Sequence, residues 1–197
     1  ESKRFFVMYG QTEATSRMSY LPHEDAMRKC GSMGIAIPDG EFSLIDKNGT
    51  VIEEHEKEGE LVYRGKNVSM GYALSREDLT KGDENKGVLV TGDMAKRDHD
   101  GYYYIVGRKK RFIKLFGNRV NLDETERLIK NVISDCACAG QDDNMTIYIT
   151  DKNKLKKIQK YISEKTSINS RAFMVKCIPE IPKNSSGKTI YSKLERV

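Results

Sequence analysis

The stretch IPKNSSGKTIY, Ile181 to Tyr191, decides which fold this chain can have. It contains Gly187-Lys188-Thr189, the ending of a Walker phosphate-binding loop. Such a loop reads G-x-x-x-x-G-K-[ST] and joins a strand to a long helix in an α/β sheet. Five residues before Gly187 stands Pro182, where the loop needs glycine. Proline offers a phosphate no N–H and fixes its own φ. Only eight residues follow Thr189, too few for the βαβ unit that a Walker loop opens. The Walker-loop reading fails on composition and on context. What remains is a lysine on a Ser-Ser-Gly turn, a residue able to swing into a site built elsewhere.

Upstream, the second half of the chain alternates short strands and amphipathic helices. Ala172–Cys177 reads as a strand. Asp151 can cap a helix that places Leu155, Ile158 and Ile162 on one face, with five lysines among residues 152–160 on the other. Met145–Thr150 is a further strand. Asn121 is a helix N-cap with Glu124 as its reciprocal partner, and Thr125, Leu128, Ile129 and Val132 follow at helical spacing. Phe112–Leu115 is a strand, with Gly117-Asn118 as a turn. The order is β-α-β-α-β. A domain this small builds only a marginal core, so helices covering one sheet face should supply most of its stability.

The first half reads differently. Arg4–Tyr9 is an apolar run ending at Gly10. Glu41–Asp46 alternates and meets Lys47-Asn48-Gly49, a hairpin-type turn, after which Val51-Ile52 would start the return strand. Glu60–Arg64, Val88–Thr91 and Tyr102–Val106 are further strands, the last preceded by the Asp100-Gly101 turn. These form a small antiparallel β region. The seam falls near Gly107-Arg108, giving one domain over residues 1–108 and another over 109–197. The fold class is α+β.

Charge divides at the same place. Residues 109–197 carry a net charge of +9 and residues 1–108 a net of −4, within an overall +5. The basic half could meet nucleic acid, an acidic protein or a phosphorylated cofactor. With 38% apolar residues and no low-complexity run, the chain is expected to be a folded, cytoplasmic protein. No apolar run is long enough to span a membrane. Its start carries neither a signal-peptide pattern nor an initiator Met, which points to a processed or excised piece. Cys30, Cys136, Cys138 and Cys177 form no CxxC pair, and His23, His55 and His99 are scattered, so free thiols are expected rather than a zinc site.

Five stretches together carry a resemblance that none carries alone. They are Tyr9-Gly10-Gln11-Thr12-Glu13; Gly59–Gly65 leading to Gly71-Tyr72; Thr91-Gly92-Asp93 before Asp100-Gly101-Tyr102; Gly107–Lys114 running to Gly117; and Pro182–Lys188. In this order the series resembles the adenylate-forming superfamily of acyl-CoA synthetases, peptide-synthetase adenylation domains and luciferases. The resemblance implies an ATP- and Mg²⁺-dependent ligase. Such an enzyme converts a small carboxylic acid to an acyl-AMP, then passes the acyl group to the thiol of CoA or of a carrier-protein phosphopantetheine.

It implies roles for particular residues. Tyr9, Gly10 and Thr12 would line the AMP site, with the Thr12 hydroxyl on its phosphate. Glu13 would be the Mg²⁺ ligand, Asp93 would accept from both ribose hydroxyls, and Arg108 would reach the same ribose. Lys110 would be the hinge about which the C-terminal domain rotates between half-reactions. Gly117 would let a pantetheine arm pass, and Lys114 would serve the second step. Lys188 would bridge the acid's carboxylate and the α-phosphate. The family's upstream phosphate loop is not among these residues, so the chain resembles a C-terminal fragment: the last β subdomain plus the mobile domain, inactive alone. Residues 135–144 are shorter than in many members, which bears on carrier or CoA docking. Two other classes compete: a basic nucleic-acid-binding module, which too few aromatics support, and a non-catalytic relic or partner domain.

Overall fold

The computed structural model describes residues 3–194. The chain forms two compact units, Glu1–Lys109 and Lys110–Val197.

The first unit is antiparallel throughout. Strands β1 (Val7–Tyr9), β2 (Ser19–Leu21) and β3 (Ile35–Ala36) form one sheet; β4 (Glu41–Ile45), β5 (Gly59–Arg64), β6 (Val88–Arg97) and β7 (Tyr103–Arg108) form a second, in that order. The alternation of β4 does what it predicts: Phe42 and Leu44 are buried while Ser43 and Ile45 are only partly covered. The Phe42 ring meets those of Tyr63 and Tyr103, each at 5.2 Å between centroids. β5 lies between β4 and β6 and is buried along most of its length, as a central strand must be. Two expectations change here. The first strand begins only at Val7, leaving Phe5 and Phe6 exposed. The Asn-Gly turn forms, because Asp46 Oδ1 accepts from the Asn48 and Thr50 amides at 2.8 and 2.9 Å. Val51 then makes a single bridge to Ile45, and the ladder partner of β4 is β5.

The second unit contains β8 (Phe112–Leu115), β9 (Asn118–Asn121), α1 (Leu122–Ile129), β10 (Cys136–Gln141), β11 (Asn144–Ile149), α2 (Leu155–Thr166) and β12 (Phe173–Cys177). β8 and β9 are a hairpin whose two loop residues, Phe116 and Gly117, have φ of 48° and 83°. Positive φ at both loop residues matches the strand twist and sets the turn one residue earlier than the sequence suggests. The Asn121 side chain accepts from the Asp123 and Glu124 amides at 2.9 and 3.3 Å, so it caps α1 as expected. The Glu124 carboxylate engages Arg127 at 2.7 Å. Asp151 caps a short 3₁₀ turn, Lys152–Lys154, that leads into α2.

β10 and β11 pair antiparallel, while β11 and β12 run parallel across the α2 crossover. α1 and α2 bury Ile129, Ile158 and Ile162 against Cys138, Met145, Ile147 and Ile149. The opposite face is covered too: Ile178, Ile181 and Leu194 close over Ala137, Ala139 and Tyr148. The sequence reading assigned only one covered face, because that second cover is irregular chain rather than helix.

Candidate functional site

Thr91-Gly92-Asp93 is a break in a ladder. β5 and β6 pair at Glu60–Met94 and again at Val62–Val90, so β6 carries extra residues between them. Gly92 sits in the bulge at φ 73°, a conformation that costs glycine little. The Thr91 hydroxyl donates to Leu61 O at 2.8 Å and accepts from the Asp93 amide at 3.1 Å, replacing lost ladder bonds. The bulge aims the Asp93 side chain at β1. Asp93 is 5% exposed. Its Oδ2 accepts from the Tyr9 hydroxyl at 2.6 Å and from Gln11 Nε2 at 2.9 Å. Its Oδ1 faces Arg108 Nε at 3.3 Å, Asp93 and Arg108 being register partners across β6 and β7. Burial, reinforced by the Asp93 carboxylate, pushes the Tyr9 phenol far above its ordinary value, so Tyr9 is a fixed donor.

The loop after β1 brings the other residues of this motif. Gly10 is exposed directly after the strand, and the Ala14 amide closes a turn onto Gln11 O at 3.0 Å. Thr12 is exposed at this turn. Glu13 is partly buried; its Oε1 accepts from the Tyr72 hydroxyl at 2.6 Å. That hydrogen bond, then its own backbone amide and the Arg108 charge, hold the Glu13 carboxyl below the usual carboxylate range. Among the described residues no three His, Cys, Asp or Glu side chains gather closely enough to hold a metal by themselves. Glu13 suits Mg²⁺ in a different way, because that ion takes one or two carboxylates and completes its shell with water and phosphate oxygens.

The remaining residues lie in the second unit. Lys110 is exposed within the 3₁₀ turn Lys109–Arg111. Lys114 is exposed on β8, its backbone amide held by Asp142 Oδ1 at 2.8 Å. Gly117 is exposed at the hairpin tip beside Phe116. Lys188 sits on a tight loop that excludes the Walker geometry directly. The Ser186 and Lys188 amides both donate to Asn184 Oδ1, at 3.0 and 2.9 Å, instead of pointing to an open cradle. Gly187 turns the chain at φ 76°, and Lys183 bridges Thr189 across the hairpin. Among the described residues the Lys188 ammonium makes no hydrogen bond or ion pair.

Three residues after Lys188, Tyr191 anchors this hairpin. Its ring lies 3.9 Å from the Arg111 guanidinium, and its hydroxyl donates to Glu126 Oε2 at 3.1 Å. Arg111 in turn donates to Asp123, to Glu126 and to Cys138 O at 2.6–2.8 Å. Burial pushes the Tyr191 phenol up to about 12, from an ordinary 10.0. Between those values the folded protein keeps a proton that the unfolded chain has released. Stability from neutral Tyr191 is therefore full below about pH 10 and is lost as the pH rises through about 12. The alkaline fall in urea midpoint is expected to be shallower in Tyr191→Phe than in the wild type.

The structure thus brings Tyr9, Asp93 and Arg108 together and adds Gln11, Thr91 and Tyr72, to which sequence reasoning gave no role. All three lie inside the quoted motif stretches, which was the available signal. Arg111 lies inside the fourth stretch too, whereas Glu126 and Tyr191 lie outside all five and gave no signal, since their contact spans 65 positions.

A family model described as AMP-binding enzyme matches residues 1–73. The chain is 31% identical over 193 residues to a luciferin 4-monooxygenase of Photuris pensylvanica, covering 91% of this chain and 35% of that protein. It is 30% identical over 190 residues to a 2-succinylbenzoate–CoA ligase of Enterococcus faecalis, covering 91% and 38%. Among solved structures, o-succinylbenzoate CoA synthetase of Bacillus subtilis with its acyl-adenylate intermediate shares the fold at a TM-score of 0.73 and 23% identity, over 98% of this chain and 41% of that one. The chain spans a little over a third of the length of these curated relatives. Motifs, relatives and fold agree: the chain belongs to the adenylate-forming superfamily of AMP-binding enzymes.

Proposed function

We propose that this chain supplies the ribose-side, metal-side and lysine residues of an ATP-dependent acid–thiol ligase. In this reading residues 1–108 are the last β subdomain of the large AMP-binding domain, and residues 109–197 are the mobile C-terminal domain, with Lys110 at the hinge. The observation that carries the reading is the buried Asp93, gripped on one oxygen by Tyr9 and Gln11 and facing Arg108 with the other. A carboxylate has about four lone-pair sites. Two are used at Oδ2, and Oδ1 meets its arginine only at a long 3.3 Å. Capacity therefore remains for sugar hydroxyls at an acceptor held rigid by its donors.

Each residue then has a task set by its chemistry. Arg108 is 72% exposed at its side chain and free to turn onto the ribose. Thr12 offers an exposed hydroxyl to the α-phosphate. Glu13, whose carboxyl the Tyr72 hydrogen bond holds below the usual range, would hold Mg²⁺, which would neutralise phosphate charge. Lys188 supplies a positive charge where the acid's carboxylate attacks the α-phosphorus and pyrophosphate leaves, so it stabilises the transition state more than the ground state. Lys114 and the Gly117 turn would serve transfer to the acceptor thiol. Coenzyme A is the favoured acceptor, since the names of several relatives are CoA ligases.

The test is acid-dependent ATP–pyrophosphate exchange by the native-length gene product, with 2-succinylbenzoate, 4-coumarate and palmitate as first acids. No exchange with any acid would reject the ligase reading. Asp93→Ala is expected to weaken nucleotide binding by roughly tenfold to over a hundredfold, the usual worth of hydrogen bonds to a charged acceptor. Calorimetric titration with ATP measures this directly, and unchanged affinity would remove Asp93 from the ribose site.

A further inference from the structure

The hairpin that carries Lys188 is pinned on both legs while its tip is free. On the incoming leg Ile181 is buried and Lys183 pairs with Asp135 at 2.9 Å. On the outgoing leg the Ile190 amide returns to Pro182 O at 2.8 Å, and Tyr191 enters the cluster of Arg111 and Glu126. Glu126 is nearly buried, and it accepts from three groups: Arg111 Nη2 at 2.6 Å, the Cys138 amide at 2.7 Å and the Tyr191 hydroxyl at 3.1 Å. Arg111 and Glu126 thereby take up both backbone polar groups of Cys138 on the outer edge of β10. The cluster is thus welded to the sheet and to α1. Arg111 also stands next in the chain to Lys110, the first residue of the second unit.

We infer that Tyr191, Arg111 and Glu126 are positioning residues: they fix the Lys188 hairpin to the segment where the second unit begins, so that the lysine travels with that segment as one rigid arm. This inference deepens, and rests on, the ligase reading above. Lys188, whose ammonium meets no partner among the described residues, has its place set by the backbone beneath it. Two legs held by an ion pair, a stacked guanidinium and a buried carboxylate define that place before substrate arrives, and the long side chain alone keeps its freedom. Pre-organisation of this kind is worth much in catalysis, since misplacing a catalytic group by an ångström can lower the rate by about 10²-fold. None of the three residues touches substrate in this scheme; they act through Lys188.

Two measurements test the inference. The first is amide hydrogen exchange on the 197-residue chain, comparing wild type, Tyr191→Ala and Tyr191→Phe. In Tyr191→Ala the Ser186 and Lys188 amides are expected to exchange about tenfold faster or more, as a hydrogen bond to a charged acceptor and the stacked contact are lost, while the Ile147 and Ile149 amides of β11 keep their protection. Tyr191→Phe, which retains the ring over Arg111, should recover part of the difference. Unchanged hairpin amides in Tyr191→Ala, or equal loss of protection in β11, would overturn the inference. The second measurement uses the native-length gene product and whichever of the three acids above gives most exchange. Tyr191→Ala should lower kcat for ATP–pyrophosphate exchange by about 10- to 10²-fold, leave the KM for ATP unchanged, and spare thioester formation from added acyl-adenylate. Equal loss in both half-reactions would mean a merely structural role. If the wild type catalyses no exchange, the ligase reading fails on its own, and the hydrogen-exchange arm still decides whether the cluster holds the hairpin.

Discussion

Lys188→Ala in the native-length gene product is expected to lower acid-dependent ATP–pyrophosphate exchange by about 10²–10³-fold, the range found when one pre-organised charge-stabilising group is removed. Nucleotide affinity should change little, because Asp93, Arg108 and Glu13 belong to the other unit and, in the proposed reading, would hold other parts of the nucleotide. The distinction follows from when the charge is needed. Carboxylate and α-phosphate are both anionic before reaction and repel each other on approach. An ammonium between them relieves that repulsion most at the transition state. Lys188→Arg keeps the charge but replaces a compact ammonium with a planar fork, and it should restore only part of the rate. Exchange in Lys188→Ala equal to wild type would remove Lys188 from the chemistry and leave the hairpin without a catalytic purpose.

Local signals in the sequence were strong where one residue type satisfies one local demand. Asn121 was legible as a cap because its side chain serves amides two and three residues on. The Lys188 loop was legible as something other than a phosphate cradle, because Pro182 stands where a cradle needs glycine. Lys47 through Gly49 were legible as a turn for the same local reason, although the Asp46 side chain that holds the turn was read as part of the strand. Strand β10 was missed, since its sequence, CACAGQ, has small residues and no alternation. Its first four residues are buried, on one face under α1 and α2 and on the other under Ile178, Ile181 and Leu194, and burial on both faces leaves no periodic trace. Strand β9, Asn118–Asn121, was missed because polar and charged residues fill most of an exposed hairpin arm.

The site divides in the same way. Its motif residues were singled out because they stand as an ordered series, and the resemblance of that series pointed to Asp93 and Lys188 before any geometry was known. The reasons those residues stand where they do were not readable. Gln11 reaches Asp93 across 82 positions, Tyr72 reaches Glu13 across 59, and Tyr191 reaches Glu126 across 65. Polar contacts of that range follow from the fold, and neither periodicity nor propensity encodes them. Supporting residues are therefore the part of a site that structure adds to sequence.

Glu126→Ala is expected to destabilise the second unit by about 3–5 kcal/mol, the usual cost of breaking a buried ion pair from one side. The carboxylate is about nine-tenths covered, at 9% side-chain exposure, and Arg111 beside it is at 12%. Removing the carboxylate leaves Arg111 with the more exposed Asp123 as its remaining carboxylate, strips the Cys138 amide of its acceptor, and frees the Tyr191 hydroxyl. Glu124, two residues away on α1, provides the control. It also pairs with an arginine at 2.7 Å, but the partners are 52% and 77% exposed. A pair of that kind on a helix surface contributes about 0.3–0.5 kcal/mol, so Glu124→Ala should barely move the transition. Urea unfolding followed by far-ultraviolet circular dichroism compares the two, and the chain's lack of tryptophan makes that probe preferable to fluorescence. Similar midpoints for both variants would show that the Arg111–Glu126 pair is worth no more than a surface contact, and the Lys188 hairpin would then lack its anchor. A large difference would place much of the unit's stability in the same contacts that fix the lysine, so that substitutions loosening the arm would also weaken the fold that carries it.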